Sequence, residues 1–297
     1  MYKQIAANRQ KTFWLITLFL AILIGVGYFA SVYWESPDIL VGAVLFSLGM
    51  SWWSYFSGDK AILAMSGARK VKHDASLSER QIVHLVENLC ITAGLPLPQV
   101  YLIPDPAPNA FAIGRDPKQA SNALTTGIVE QLDKTELEGV IAHELSHIKN
   151  FDILLATVVI TLLGAITLLA DWIWRGRMFS SRSNNHDNNG NAIIMVIGLV
   201  LIILAPIFAQ LIYFAISRKR EYLADASGAL LTRYPEGLAN ALKKLETDKN
   251  QLKFANRATA GLYIVNPFKR IGKEGDELWS THPPLAKRIA ALMQMNI

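Results

Sequence analysis

Long uncharged stretches divide the chain, and four of them are long enough to cross a lipid bilayer. The first two cover residues 12–34 and 39–58, and the second two cover residues 153–170 and 192–217. A helix needs about 20 apolar residues to span the hydrocarbon core of a membrane. The pattern therefore predicts two transmembrane hairpins, the second of which tolerates Pro206 in its return helix.

Two polar segments, residues 59–152 and 217–297, lie outside the hairpins. Their apolar residues recur at helical spacing in some stretches and form short β-branched or aromatic runs in others. Helices are predicted at residues 76–98, 132–150 and 236–246, and strands at residues 100–103, 110–114 and 122–127. Asp133 and Glu136 have the spacing of a capping box, which strengthens the prediction of the second helix.

Basic residues beside the apolar stretches predict how the chain is oriented, because cytoplasmic loops are rich in Lys and Arg. They precede the first stretch and follow the second, whereas the turn between the two carries Glu35 and Asp38. We therefore expect the N-terminus and the segment after residue 58 in the cytoplasm. The loop of the second hairpin is also basic, so residues 153–216 either span the bilayer fully or enter it only partway.

Composition narrows the class of protein. Hydrophobic residues make up 52% of the chain, which is unlike an ordinary soluble enzyme. The net charge of +5 does not indicate nucleic acid as a partner, because no basic stripe with interleaved aromatic residues is present. The first stretch exceeds the hydrophobic core of a signal peptide, so we interpret it as a retained helix. The single cysteine, Cys90, excludes an intramolecular disulfide framework and fits a reducing compartment.

The segment IAHELSHIKN, residues 141–150, carries the chemistry. His143 and His147 are four residues apart, which places both rings on one side of a helix, and Glu144 lies beside them. This is the H-E-x-x-H pattern, in which two imidazoles hold Zn²⁺ and the carboxylate acts as a general base toward water. The alternative is a solvated or buried histidine pair on an amphipathic helix.

Two histidines alone do not hold a catalytic zinc ion, so a third protein ligand is required. The candidates are His73, His84, His282 and the carboxylates of SRKREYLADASG, residues 217–228. There, Glu221 and Asp225 are also four apart, so Glu221 could ligate while Asp225 accepts a hydrogen bond from a ligand histidine. We favour Glu221 over a histidine as the third ligand. Without the H-E-x-x-H motif, Glu221 and Asp225 would be interpreted as a pair of surface carboxylates.

Several motifs together resemble the HtpX-type membrane zinc metalloproteases, which are heat-shock quality-control relatives of the CAAX prenyl-protein endopeptidases. They are HELSH, EYLAD, NAFAIG and STHPPLAKRI, and the resemblance covers nearly the whole chain. It implies an α+β fold: a zincin-like (gluzincin) domain with a small sheet, assembled around about four transmembrane helices. It also implies cleavage of misfolded or damaged membrane proteins at the cytoplasmic face of the bacterial inner membrane, as part of a stress response.

The resemblance assigns roles and partners. One Zn²⁺ per chain would be held by His143, His147 and Glu221, with Glu144 as the base and Asp225 orienting a ligand. The expected divisions are a hairpin at 1–58, the first part of the catalytic domain at 59–152, a second hairpin at 153–216 and the second part at 217–297. The expected partners are membrane-protein substrates and the lipid bilayer, with functional overlap with ATP-dependent membrane proteases.

Two further sites are predicted. His282 is followed by two prolines that would hold its backbone, so its ring could face the tetrahedral intermediate as an electrophile; alternatively it only precedes a helix. Asn109, Ala110, Phe111 and Ala112 would form an edge strand that takes substrate by strand addition; alternatively the strand is interior.

Three other functions compete with this hypothesis. The first is maturation of a defined, CAAX-like prenylated substrate, although no lipid pocket is recognisable in the sequence. The second is a proteolytically silent membrane scaffold, which would more often have lost Glu144. The third is transport, which is poorly supported because the apolar stretches carry almost no ionisable residues to mark a pathway.

Overall fold

The computed structural model describes residues 2–72, 76–180, 218–253, 255, 259–267 and 283–295. The predicted return helix at 192–217 and the histidines His73 and His282 lie outside these residues.

Two long apolar helices open the chain. α1 (Tyr2–Tyr33) and α2 (Pro37–Met65) contain the two predicted stretches, and they are joined by a tight turn in which Glu35 has a φ of 51°. By length and composition, Ile5–Tyr33 and Pro37–Met65 can each cross a membrane. Large aromatic side chains such as Phe29 and Trp52 are exposed on them. Such a continuous apolar surface indicates contact with lipid.

A four-stranded mixed sheet lies in the polar part of the chain. It consists of β1 (Arg69–Lys70), β2 (Gln99–Ile103), β3 (Ala110–Gly114) and β4 (Ala120–Thr125), in the order β1-β2-β4-β3. β2 and β4 are parallel, and the other two pairs are antiparallel. The strands predicted at 100–103 and 110–114 are confirmed.

The boundary predicted for β4 was wrong, since residues 122–127 were expected to be extended. The strand begins two residues earlier, at Ala120, and stops at Thr125, where α4 (Thr126–Gln131) begins. The Thr125 hydroxyl accepts a hydrogen bond from the Ile128 N–H at 3.2 Å, so this residue caps a helix.

Two further helices pack on one face of the sheet, and α2 lies against the other face. α3 (Leu77–Ala93) begins at Ser76, whose side chain accepts from the Glu79 N–H, and ends at Gly94 with a φ of 65°. α5 (Lys134–Lys149) begins with the predicted capping box, because the Asp133 and Glu136 side chains each accept from the other's backbone N–H. Both helices are therefore confirmed close to their predicted positions.

α6 (Asp152–Ser180) follows α5 after a sharp bend. The axes of the two helices differ by 82°, and Phe151 between them has a left-handed φ of 59°. α6 contains the third predicted apolar stretch and packs against α2 through small and polar side chains. Ser54 donates to the Val158 carbonyl at 3.3 Å, and a Cβ on Gly58 would lie 2.8 Å from Thr161. Close approach through small residues is typical of helices packed within membranes.

The C-terminal polar segment completes the same core. α7 (Arg218–Thr232) and α8 (Pro235–Thr247) pack on α5, and α9 (Leu285–Met293) packs on α8. The apolar face predicted for α8 is buried, in a cluster shared with α3, α5 and the sheet. Its members are Leu238, Ala241, Leu242 and Leu245. The two polar segments therefore build one hydrophobic core.

Candidate metal centre

The two motif histidines converge on one point beside α5. His143 is 1% exposed, and its Nε2 atom lies 3.2 Å from Nε2 of His147, which is partly exposed. The rings meet edge to face, with centroids 4.8 Å apart. The i, i+4 spacing thus brings together two nitrogen lone pairs, as the sequence predicted.

Glu221 comes to the same point from α7. Its carboxylate oxygens lie 3.8 Å from Nε2 of His143 and 3.6 Å from Nε2 of His147. Close packing makes this approach possible, because a Cβ added to Gly228 would lie only 3.0 Å from the His143 backbone nitrogen. A larger residue at that position would push α7, and Glu221 with it, away from α5.

The geometry and chemistry of this trio fit a zinc ion. The three ligand atoms lie within 4.8 Å of one another. A tetrahedral zinc ion with ligands at 2.0–2.2 Å requires neighbouring ligand atoms about 3.3–3.6 Å apart, close to the separations found here. Each imidazole can donate from Nδ1 to a carboxylate, which leaves both Nε2 atoms as acceptors facing an anionic carboxylate. A cation, either a metal ion or a proton on one of the rings, offsets the repulsion among these acceptors.

Carboxylates hold the outer nitrogens of both histidines. Nδ1 of His143 lies 2.9 Å from an oxygen of Asp225, the residue predicted to orient a ligand. Nδ1 of His147 lies 3.0 Å from an oxygen of Asp152, a residue that sequence reasoning missed. A carboxylate on the outer nitrogen sets the tautomer and direction of a ligand histidine. Asp152 was missed because it lies across the bend between α5 and α6.

Comparison with known proteins identifies the family of the chain. The sequence pattern of "Peptidase family M48" matches residues 76–296. The chain is 41% identical over 296 residues to a protease HtpX homolog from Dictyoglomus turgidum, which covers 99% of this chain and 95% of the relative. The chain belongs to peptidase family M48.

Further relatives place this M48 metalloprotease in the HtpX group. A protease HtpX homolog from Levilactobacillus brevis is 44% identical over 305 residues, covering 99% of this chain and all (100%) of the relative. The crystal structure of S. mikatae Ste24p superposes with a TM-score of 0.51 at 19% identity, over 98% of this chain and 67% of that one. The second comparison shows that the mostly helical fold with its small sheet is shared with Ste24p.

A buried arginine supports Asp225 from behind. Arg288, on α9, is 0% exposed and donates to the two Asp225 oxygens from Nε at 2.8 Å and from Nη2 at 2.7 Å. Its Nη1 donates to the Ile264 carbonyl at 3.0 Å and lies 3.7 Å from Glu221. Arg288 is part of the motif STHPPLAKRI, but no role was assigned to it from the sequence. Its place among the apolar residues of α9 could have indicated that it is buried.

Burial and charge shift the pKa values of the site residues. Burial raises the pKa of Glu144, which is 2% exposed, to about 7. Burial lowers the pKa of His147, but Asp152 and Glu221 outweigh this effect and raise it to about 9. Burial would raise the pKa of Asp225, yet Arg288 and His143 hold it below its usual range. Asp225 therefore remains an anion that can accept the His143 proton.

β3 lies at an edge of the sheet and runs beside the metal centre. The backbone N–H of Ala112 faces the Glu144 carboxylate and slightly offsets the effect of burial on its pKa. The start of the strand is occupied from within the chain, because Ile264 donates to the Ala110 carbonyl at 3.0 Å and the Asn109 side chain donates to the Val265 carbonyl at 2.9 Å. Substrate binding by residues 109–112 remains a prediction. The role predicted for His282 falls on a residue outside the described ranges.

Proposed function

We propose that this M48 metalloprotease is a zinc-dependent endopeptidase that cleaves misfolded or damaged membrane proteins at the cytoplasmic face of a bacterial inner membrane, in quality control under stress. The observation that supports the zinc chemistry is the convergence of His143, His147 and Glu221, with Glu144 buried beside them. A silent scaffold would have no use for a buried carboxyl group at that position.

A four-span, zincin-like arrangement is part of the proposal. α1 and α2 supply two apolar helices, α6 would supply the third, and residues 192–217 the fourth. α6 starts at Asp152, which contacts His147, so the metal centre would lie beside the membrane surface that α6 enters. A site in that position can reach segments of polypeptide that emerge from the bilayer.

The described residues can carry out the proton transfers of peptide hydrolysis. When bound, a zinc ion polarises a peptide carbonyl and makes water nucleophilic near neutral pH. Glu144 would accept a proton from water and pass it to the leaving amine, for which a pKa of about 7 is well suited. Asp225 and Asp152 keep Nδ1 of their histidines protonated, and so leave each Nε2 available as a ligand.

The peptide backbone would lie along β3 at Ala112, between the contact of Ala110 with Ile264 and the hydrogen bond from the Gly114 N–H to the Thr157 hydroxyl. The Ala112 N–H faces the Glu144 carboxylate, so a peptide on this edge would pass next to the base. Strand addition supplies backbone hydrogen bonds that do not depend on side chains. This mode of binding suits an enzyme whose substrates share misfolding and no common sequence.

The decisive experiment separates the base from the metal ligands. Glu144→Gln should abolish cleavage of casein, and of a destabilised membrane protein in liposomes, while zinc content stays near one ion per chain. His143→Ala should lose both zinc and cleavage. Glu138→Gln, a surface change on the same helix, serves as the matched control because it should alter neither. Full cleavage by Glu144→Gln would refute the mechanism, and wild-type protein without stoichiometric zinc would refute the zinc assignment.

A further inference from the structure

A polar side chain at the start of the first apolar helix reaches the metal centre. Asn8, on α1, is 3% exposed. Its Nδ2 atom donates to Asp152 Oδ1 at 2.7 Å and to the Asn150 carbonyl at 2.9 Å. Because buried amides are placed where they find partners, this side chain fixes the position of α1 against the bend between α5 and α6.

Asp152 is held from two sides at once. Besides Asn8, it accepts from Nη1 of Arg220 at 3.2 Å, and the same Nη1 donates to the Asn8 carbonyl oxygen Oδ1 at 3.3 Å. These bonds engage Oδ1 of Asp152, while its Oδ2 faces Nδ1 of His147 at 3.0 Å. The orientation of the carboxylate that directs His147 is therefore set by groups from α1 and α7.

The backbone at the bend needs such support. Phe151 has a left-handed φ of 59°, which is costly for a bulky residue, and it directly precedes Asp152. The Asn150 carbonyl on the other side of Phe151 is bonded to Asn8. Contacts on both sides of the strained residue hold the sharp turn that carries Asp152 back toward His147.

We infer that Asn8 is a positioning residue of the zinc site, which acts through Asp152 on His147 and couples zinc affinity to the docking of the first membrane helix. The inference rests on the proposed function, since it assumes that His147 ligates zinc. A chain whose α1 is not docked would then bind zinc weakly. Metal loading would accordingly favour correctly inserted protein.

The inference predicts a measurable loss of affinity. Replacing a partner of a ligand histidine typically lowers metal affinity about 10- to 100-fold. Asn8→Leu keeps the size of the side chain but removes both donated hydrogen bonds, whereas Arg220 still holds Asp152. We therefore expect the zinc dissociation constant to rise about tenfold, the low end of that range.

The test uses the full chain, purified in detergent with Glu144→Gln in every sample to prevent self-cleavage. Zinc affinity is measured by competition with a chromophoric chelator, and the stability of the metal-free protein by thermal unfolding. Thr12→Val is the matched control, because Thr12 is equally buried one turn along α1 and, among the described residues, its hydroxyl donates only to the backbone carbonyl of Asn8. Asn8→Asp is a second variant that keeps the acceptor for Arg220 but loses the donor to Asp152.

If Asn8 acts through Asp152, the effects of Asn8→Leu and Asp152→Asn on zinc affinity are not additive. In an Asp152→Asn background, Asn8→Leu should cause less than a twofold further change in affinity. The inference is overturned if Asn8→Leu and Asn8→Asp bind zinc as tightly as Thr12→Val does, or if they lower only the melting temperature of the metal-free protein. It is also overturned if the fold losses of zinc affinity caused by Asn8→Leu and by Asp152→Asn multiply in the double variant. Wild-type protein that binds no zinc would overturn the proposed function as well, so the two failures are distinguishable.

Discussion

Removing the guanidinium of Arg288 should cost more stability than any other change near the metal centre. Arg288→Met keeps most of the aliphatic stem but removes the two hydrogen bonds to Asp225 and the one to the Ile264 carbonyl. Asp225, which is 3% exposed, would then be a buried anion without its cationic partner. Breaking a buried ion pair by deleting one member costs about 3–5 kcal/mol.

Thermal unfolding of the metal-free protein at one scan rate measures this cost. For a chain of this size, 1 kcal/mol shifts the melting temperature by about 1.6 °C, so a loss of about 3 kcal/mol should lower it by about 5 °C. Lys287→Met is the matched control, because it removes a charge from the neighbouring exposed position on α9. Surface changes of that kind usually stay within about 0.5 kcal/mol.

A double variant tests the physical cause. Arg288→Met combined with Asp225→Leu removes both charges, so part of the lost stability should return, because a buried pair can be replaced by apolar groups at little cost. Zinc affinity should stay low in the double variant, since His143 has then lost its carboxylate. Arg288→Met that melts like Lys287→Met would refute the reasoning about the buried pair.

Three further predictions address the ligands, protonation and topology. Glu221→Gln should abolish stoichiometric zinc binding, whereas Asp225→Asn should weaken it about 10- to 100-fold in a chelator titration; the reverse order would mean that the two roles are exchanged. Zinc must displace the proton of His147, whose pKa is about 9. The zinc affinity, corrected for protonation of the chelator, should therefore fall about tenfold per pH unit between about pH 8 and pH 6. A zinc affinity that does not change with pH would contradict a protonated ring. Burial raises the pKa of Cys90 to about 11, so the wild-type protein should resist labelling by maleimide. Single cysteines that replace Asp38 and Lys60 should then be labelled from opposite sides of the membrane.

Patterns within one or two turns predicted much of the fold. The capping box of α5, the buried face of α8 and the His143 and His147 pair depend on residues three or four positions apart, and each was confirmed as an element or a contact. The boundary of β4 failed for a local reason too. Thr126 suits a strand by its branching, but the hydroxyl of Thr125, the last residue of β4, caps α4 and so ends the strand there.

Contacts between distant segments were harder to predict, because hydrophobic periodicity indicates which face is buried and not which buried polar groups meet. Arg288 nevertheless carried a signal: it lies between Leu285 and Leu292 on the apolar face of α9, and a buried guanidinium requires an anionic partner. That requirement points to an acid on an adjoining buried helix, as Asp225 is. Asn8 gave no such signal, since it precedes the uncharged stretch, where polar residues are expected at the membrane surface. Asn8 bonds to Asp152, 144 residues away in the sequence, because the bend after α5 brings the Asp152 carboxylate close to the N-terminal end of α1.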